Sequence, residues 1–151
     1  MANAVCIVLV TEAALRNPPD EVVDPSAGAV VDFWGVVRKL EDGCEIDGID
    51  YETHRVMAEH QMQRIAAEAV KKFGLNELLL HHRIGFVRAG EASLFLRVRA
   101  SRRAAAFEAS EWIVDDLKRK VPIWKKPVFS MPQGLAAHSP SRPGIAAPAP
   151  K

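Results

Sequence analysis

From about Val56 to Lys72 the apolar residues fall into helical phase. Met62, Ile65, Ala69 and Phe73 recur at steps of three and four with Glu and Lys between them, and Gly74 follows as a stop. On both sides of this stretch the pattern is that of strands. "VCIVLV" and "GAVVDFWGVV" are rich in β-branched and aromatic residues and bounded by Pro and Gly, and "CEIDGIDYETH" alternates Ile46, Ile49 and Tyr51 with acids. Beyond Gly74, "ELLLHHRIGFV" returns to strand, "RAGE" reads as a turn, and "SLFLRVRAS" sets Leu94, Leu96 and Val98 against Phe95, Arg97 and Arg99. A second helix is expected from about Arg103 to Lys120, burying Ala106, Ala109, Ile113 and Leu117, with Ser101 as its cap. Pro122 ends it, because proline lacks the amide donor and restricts the residue before it. Strands and helices mix without regular alternation, and strand pairs flanking tight turns suggest hairpins. The fold class expected is therefore α+β, with mixed or antiparallel strands and two main helices.

A chain of 151 residues suits one domain with its own core. We expect that domain over residues 1–138, and a disordered Pro- and Ala-rich tail over residues 139–151. The formal net charge is only +1, so bulk basicity does not draw the protein to nucleic acid or to a membrane. Cys6 and Cys44 form no disulfide framework and lack zinc-site spacing, which argues for a reducing, cytoplasmic setting without a metal centre. "AVCIVLV" has no basic stretch before it and is too short to span a bilayer.

An anion site must then come from local clustering. "LKRKVPIWKKP", Leu117 to Pro127, carries five cations in eleven residues, interrupted by Pro122, Ile123 and Trp124. Lys118 lies on the last turn of the second helix, where the helix dipole alone favours a cation. Lys125 and Lys126 lie beyond the proline and cannot share that helix face. If the segment is extended, they point in opposite directions, so one of them joins Lys118 and the other faces water. Arg102 and Arg103 stand at the other end of the helix, where unpaired backbone N–H groups favour anions. Arg38 closes the apolar run "GAVVDFWGVVR", at the rim of a buried strand. The histidines, His54, His60, His81 and His82, read as core or solvated positions, with no pair at metal-ligand spacing.

Four segments, "GAVVDFWGVVR", "HRIG" followed by "AGE", "SRRAAAFEA" and "LKRKVPIWKK", occur in the order of the large, catalytic subunit of molybdopterin synthase. The chain resembles that family over roughly Gly28 to Lys126. The resemblance implies an α/β hammerhead fold, a homodimer, and a heterotetramer completed by a small ubiquitin-like sulfur-carrier subunit ending in Gly-Gly. It implies a sulfurtransferase of molybdenum cofactor biosynthesis that turns cyclic pyranopterin monophosphate into molybdopterin with the carrier's thiocarboxylate, using no metal or other cofactor. Carried over by position, substrate contacts fall on Val36, Val37, Arg38, Arg102, Arg103, Lys118, Lys125, Lys126 and Pro127. Within that set Lys118 and Lys125 are the expected catalytic pair, Arg38 and Arg103 clamp phosphate, and Phe33 and Trp124 wall the pocket.

The chain departs from the family pattern in three places. Arg102 stands where a histidine is common, and Pro127 where an acid is common. "VFSMPQGLAAHSPSRPG" replaces an acidic, tryptophan-containing segment. These departures keep a second expectation open, a divergent paralogue that binds the carrier without turnover. A third, single-strand nucleic-acid binding through Arg97, Arg99, Arg102 and Arg103, is disfavoured by the near-zero charge.

Overall fold

The helical stripe becomes α1, Arg55–Phe73, in a computed structural model that describes residues 4–19 and 24–131. His54 caps its start, the ring Nδ1 accepting from the Met57 amide at 3.3 Å, and Gly74 closes it in the left-handed region at φ 65°. The second helix, α2, spans Arg103–Lys120 as expected. Its start differs from expectation, because the capping position is Arg102 rather than Ser101 and no side chain accepts there. A guanidinium has only donors, so it leaves the first-turn amides of α2 without a side-chain acceptor.

Eight strands accompany the helices among the described residues: β1 (Val5–Thr11), β2 (Ala29–Val36), β3 (Leu40–Glu41), β4 (Cys44–Thr53), β5 (Glu77–Arg83), β6 (Gly85–Arg88), β7 (Ala92–Ala100) and β8 (Ile123–Phe129). The larger sheet has the order β1-β5-β7-β2, with β1 parallel to β5 and the other pairs antiparallel. One face, bearing Val10, Leu78, Leu80, Leu96 and Val98, packs on Met62, Ile65 and Ala69 of α1 and on Ala106, Ala109 and Ile113 of α2. These are the stripe residues, and their burial supplies the main driving force for the fold. The architecture is α+β, with two helices and mixed sheets.

"ELLLHHRIGFV" is not one strand, and the "RAGE" turn does not join a hairpin. β5 stops at Arg83, Gly85 takes φ 85°, and β6 leaves the large sheet to pair with β4. β7 pairs instead with β5 and β2. Hydrophobic partition explains the parting, since Val87 is buried with Val37, Ile46, Ile49 and Tyr51 in a second, smaller core. β4 is the spine of that smaller sheet and pairs with β3, β6 and β8.

Arg97 and Arg99 are buried in β7 and engaged in ion pairs. Arg97 grips Asp32 at 2.7 and 2.8 Å, and Arg99 meets Glu77 at 2.7 Å. They hold strands together and are not presented to a nucleic acid, which removes half of the cations that reading needed. Among the described residues no helix is long and apolar enough to cross a membrane. The expected tail, residues 139–151, and the end of the expected domain, residues 132–138, lie outside the described residues.

Candidate functional site

Pro122 sets the geometry of the site. The amide of Val121 donates to Leu117 at 3.1 Å as the last helical bond, and the chain then turns into β8 while the Thr53 hydroxyl donates to the Pro122 carbonyl at 2.6 Å. β8 runs antiparallel to β4 with Lys125 opposite Tyr51 and Lys126 opposite Asp50. Opposed residues in a sheet share a face, so Lys125 lies with Tyr51, while Lys126 and Trp124 project to the other side.

Between this strand, the end of α2 and the end of β2 lies a cavity of about 540 Å³. Its cations, Arg38, Lys118 and Lys125, are all exposed and form the rim. Its floor is buried and carries no charged side chain: Ile49, Leu94 and Leu117 give apolar surface, and Tyr51, His82 and Ser93 add polar atoms. Phe33, Val36 and Val37 supply one wall. Glu41 also lines the cavity, and its charge adds to the effect of burial in holding the Tyr51 phenol above its ordinary range, against an opposing hydrogen bond with Ser93. Burial pushes His82 down to about 4, so its imidazole is neutral at pH 7. A bulky molecule with an anionic group fits such a space, its charge at the rim and its uncharged part on the floor.

Of the residues expected from sequence, Phe33, Val36, Val37, Arg38, Lys118 and Lys125 line this cavity. The others do not. Lys126 reaches Glu52 at 3.1 Å on the outer face of β8, and Trp124, 58% exposed, lies on that same outer face and does not line this cavity. Pro127 pairs opposite Ile49 without lining the cavity. Arg102 and Arg103 are exposed at the far end of α2. Fifteen residues at 1.5 Å each put the Arg103 backbone about 22 Å from that of Lys118, beyond the reach of an arginine within one chain. Tyr51, His82 and Ser93 were not among the expected site residues; His82 reads from sequence as a core or solvated histidine, and it is buried. The signal for His82 was its phase, two and four residues after the core positions Leu80 and Leu78.

Residues 10–120 match the family model described as "MoaE protein". The chain belongs to the MoaE family. Among curated MoaE relatives, the molybdopterin synthase catalytic subunit of Thermoplasma volcanium is 39% identical over 78% of this chain and 88% of its own length. That of Pyrococcus abyssi is 40% identical over 71% of this chain and 72% of its own. Among solved structures, molybdopterin synthase from Staphylococcus aureus superposes with a TM-score of 0.68 at 31% identity, over 73% of this chain and 80% of that one. A complex of subunits 1 and 2 of the molybdopterin-converting factor from Helicobacter pylori shares the fold, with a TM-score of 0.59 at 21% identity over 86% of this chain and 92% of that one. MoaE membership places the chain in the enzyme class of molybdopterin synthase catalytic subunits.

Proposed function

We propose that this MoaE protein transfers sulfur from the C-terminal thiocarboxylate of a small ubiquitin-like carrier subunit to cyclic pyranopterin monophosphate, forming the dithiolene of molybdopterin. The observation that carries this reading is the convergence of Arg38, Lys118 and Lys125, from three separate segments, on one cavity with an uncharged floor. Donor and acceptor are both anionic and repel one another in water. A cationic rim over a buried floor neutralises both and holds them together, which converts a collision between like charges into a reaction between neighbours.

Arg38 offers a fork of donors to phosphate, and Lys118 and Lys125 act as point charges that also move protons. Each sulfur forms a C–S bond to the pterin side chain in place of a C–O bond, the displaced oxygen leaving as water or, where it belongs to the cyclic phosphate, staying on phosphorus as that ring opens. The carrier's carbonyl carbon, on losing sulfur, takes oxygen from water, so the carrier leaves as a carboxylate. Arg102 and Arg103, too far away along α2 to serve their own cavity, reach that of a second copy in a homodimer. That MoaE dimer, with one carrier on each protomer, makes the heterotetramer. The reading sets the reaction in the cytoplasm and needs no metal or other cofactor.

Reconstitution from purified carrier thiocarboxylate and cyclic pyranopterin monophosphate tests the reading. Dithiolene product is expected from the wild type, with a loss of at least about a hundredfold in the Lys118→Ala variant while its melting temperature stays unchanged. Carrier binding without any product would leave the protein a scaffold, and full activity of Lys118→Ala would remove the catalytic assignment.

A further inference from the structure

His82 is 7% exposed, yet it lies on the cavity floor. Its Nδ1 is 2.8 Å from the backbone oxygen of Arg83, and a carbonyl only accepts, so Nδ1 carries the proton of the neutral ring. That leaves Nε2 as a lone-pair acceptor. No described side chain or backbone amide donates to it. The Tyr51 and His82 rings lie 5.3 Å apart, centroid to centroid, with their planes at 76°. Nε2 is not sealed in the core, since the buried side-chain polar atoms without a hydrogen-bond partner among the described residues are Asn76 Oδ1 and Asp116 Oδ2. Its lone pair is open to whatever fills the cavity, a capacity that a leucine packed at this position would lack.

The placement of the cations sharpens the point. Arg38, Lys118 and Lys125 attend to negative charge at the rim, and they do nothing to choose among anions of similar size. Discrimination has to come from the floor, where the uncharged part of the ligand rests. We propose that His82 Nε2 accepts a hydrogen bond from a ring N–H of the pterin substrate, making His82 the specificity-determining residue of the cavity floor. This rests on the sulfur-transfer reading for the identity of the ligand. It goes beyond that reading in naming the atom that recognises the ring rather than the phosphate.

Two variants separate the acceptor from the packing. In His82→Asn the amide nitrogen takes the place of Nδ1 and still meets the Arg83 carbonyl, but nothing stands where Nε2 was. In His82→Gln the amide oxygen falls near the Nε2 position and restores an acceptor. Equilibrium binding is measured with two probes, a phosphate-free tetrahydropterin and inorganic phosphate. His82→Asn is expected to weaken tetrahydropterin binding about tenfold and leave phosphate binding unchanged, and His82→Gln to recover most of the loss. Equal loss for both probes, no loss in His82→Asn, no recovery in His82→Gln, or no tetrahydropterin binding by the wild type would each overturn the proposal.

A measurement on the wild-type protein stands even if the variants do not fold. The Nε2 resonance of nitrogen-15-labelled His82 should move upfield with tetrahydropterin and stay in place with phosphate alone. An unmoved resonance at saturating tetrahydropterin overturns the proposal. Failure here is distinguishable from failure of the sulfur-transfer reading. Dithiolene formation by His82→Asn with an unchanged KM sinks the role of His82 alone. Pterin binding that depends on His82, with no dithiolene from the wild type, supports that role and sinks the sulfur-transfer reading alone.

Discussion

Acidification should weaken this fold in a window that belongs mainly to one residue. The unfolded chain protonates His82 as pH falls through 6.5, whereas burial lowers the folded value to about 4. Between those values the unfolded state binds the extra proton, so stability falls with pH there, is complete above the window and is level again below it. About two and a half units at 1.36 kcal/mol each give about 3 kcal/mol, a large part of the roughly 5–15 kcal/mol that holds a typical domain together. His81 is lowered in the same direction by burial and adds to the slope, so the wild type alone does not isolate the effect. The informative quantity is the difference between wild type and His82→Gln in urea melts, followed by tryptophan fluorescence at about pH 7 and about pH 4.5. The wild type should lose about 2 kcal/mol more than the variant over that interval. Parallel losses would refute a buried neutral imidazole at position 82.

Three further outcomes are expected. In Gly48→Ala the new Cβ would stand 2.3 Å from the Val87 carbonyl oxygen and 2.7 Å from the Phe86 ring. Backbone in the β4–β6 ladder cannot yield cheaply, so calorimetry should report a loss of about 1–3 kcal/mol. Lys125→Ala should lower kcat at least about a hundredfold, while Lys126→Ala, which breaks only an exposed contact with Glu52, should stay within about twofold. Finally, mixing inactive Lys118→Ala and Arg103→Ala protomers should restore about a quarter of the wild-type turnover if Arg103 serves the second copy's cavity, since random pairing leaves one intact site in half of the dimers. A mixture as inactive as its components would refute that exchange.

Local pattern made the helices legible. α1 was expected over about Val56 to Lys72 and occupies Arg55–Phe73, because its stripe and Gly74 act within a few residues of one another. The split of Lys125 from Lys126 was legible for the same reason, once Pro122 had ended α2 and strand alternation took over. Pairing across distance was not legible. Nothing in "HHRIGFV" says that β6 abandons the large sheet for β4, since that depends on which core has room for Val87. His82 read only as core or solvated, and Ser93 was not singled out, because a polar residue in an alternating strand looks alike whether it faces water or a cavity. Arg103 was grouped with Lys118 through the family resemblance, while the length of α2 separates them within one chain.

The spacer between α2 and β8 is two residues, Val121 and Pro122. Because a strand turns its side chains out and in by turns, that spacer works as a phase setting for everything downstream. Lengthen or shorten it by a single residue and the inventory of charges is untouched, yet Trp124 and Lys126 swing inward and Lys125 is expelled. Every cation around this helix end can be present and the site still be lost, because the count of residues separating them decides which one faces the cavity.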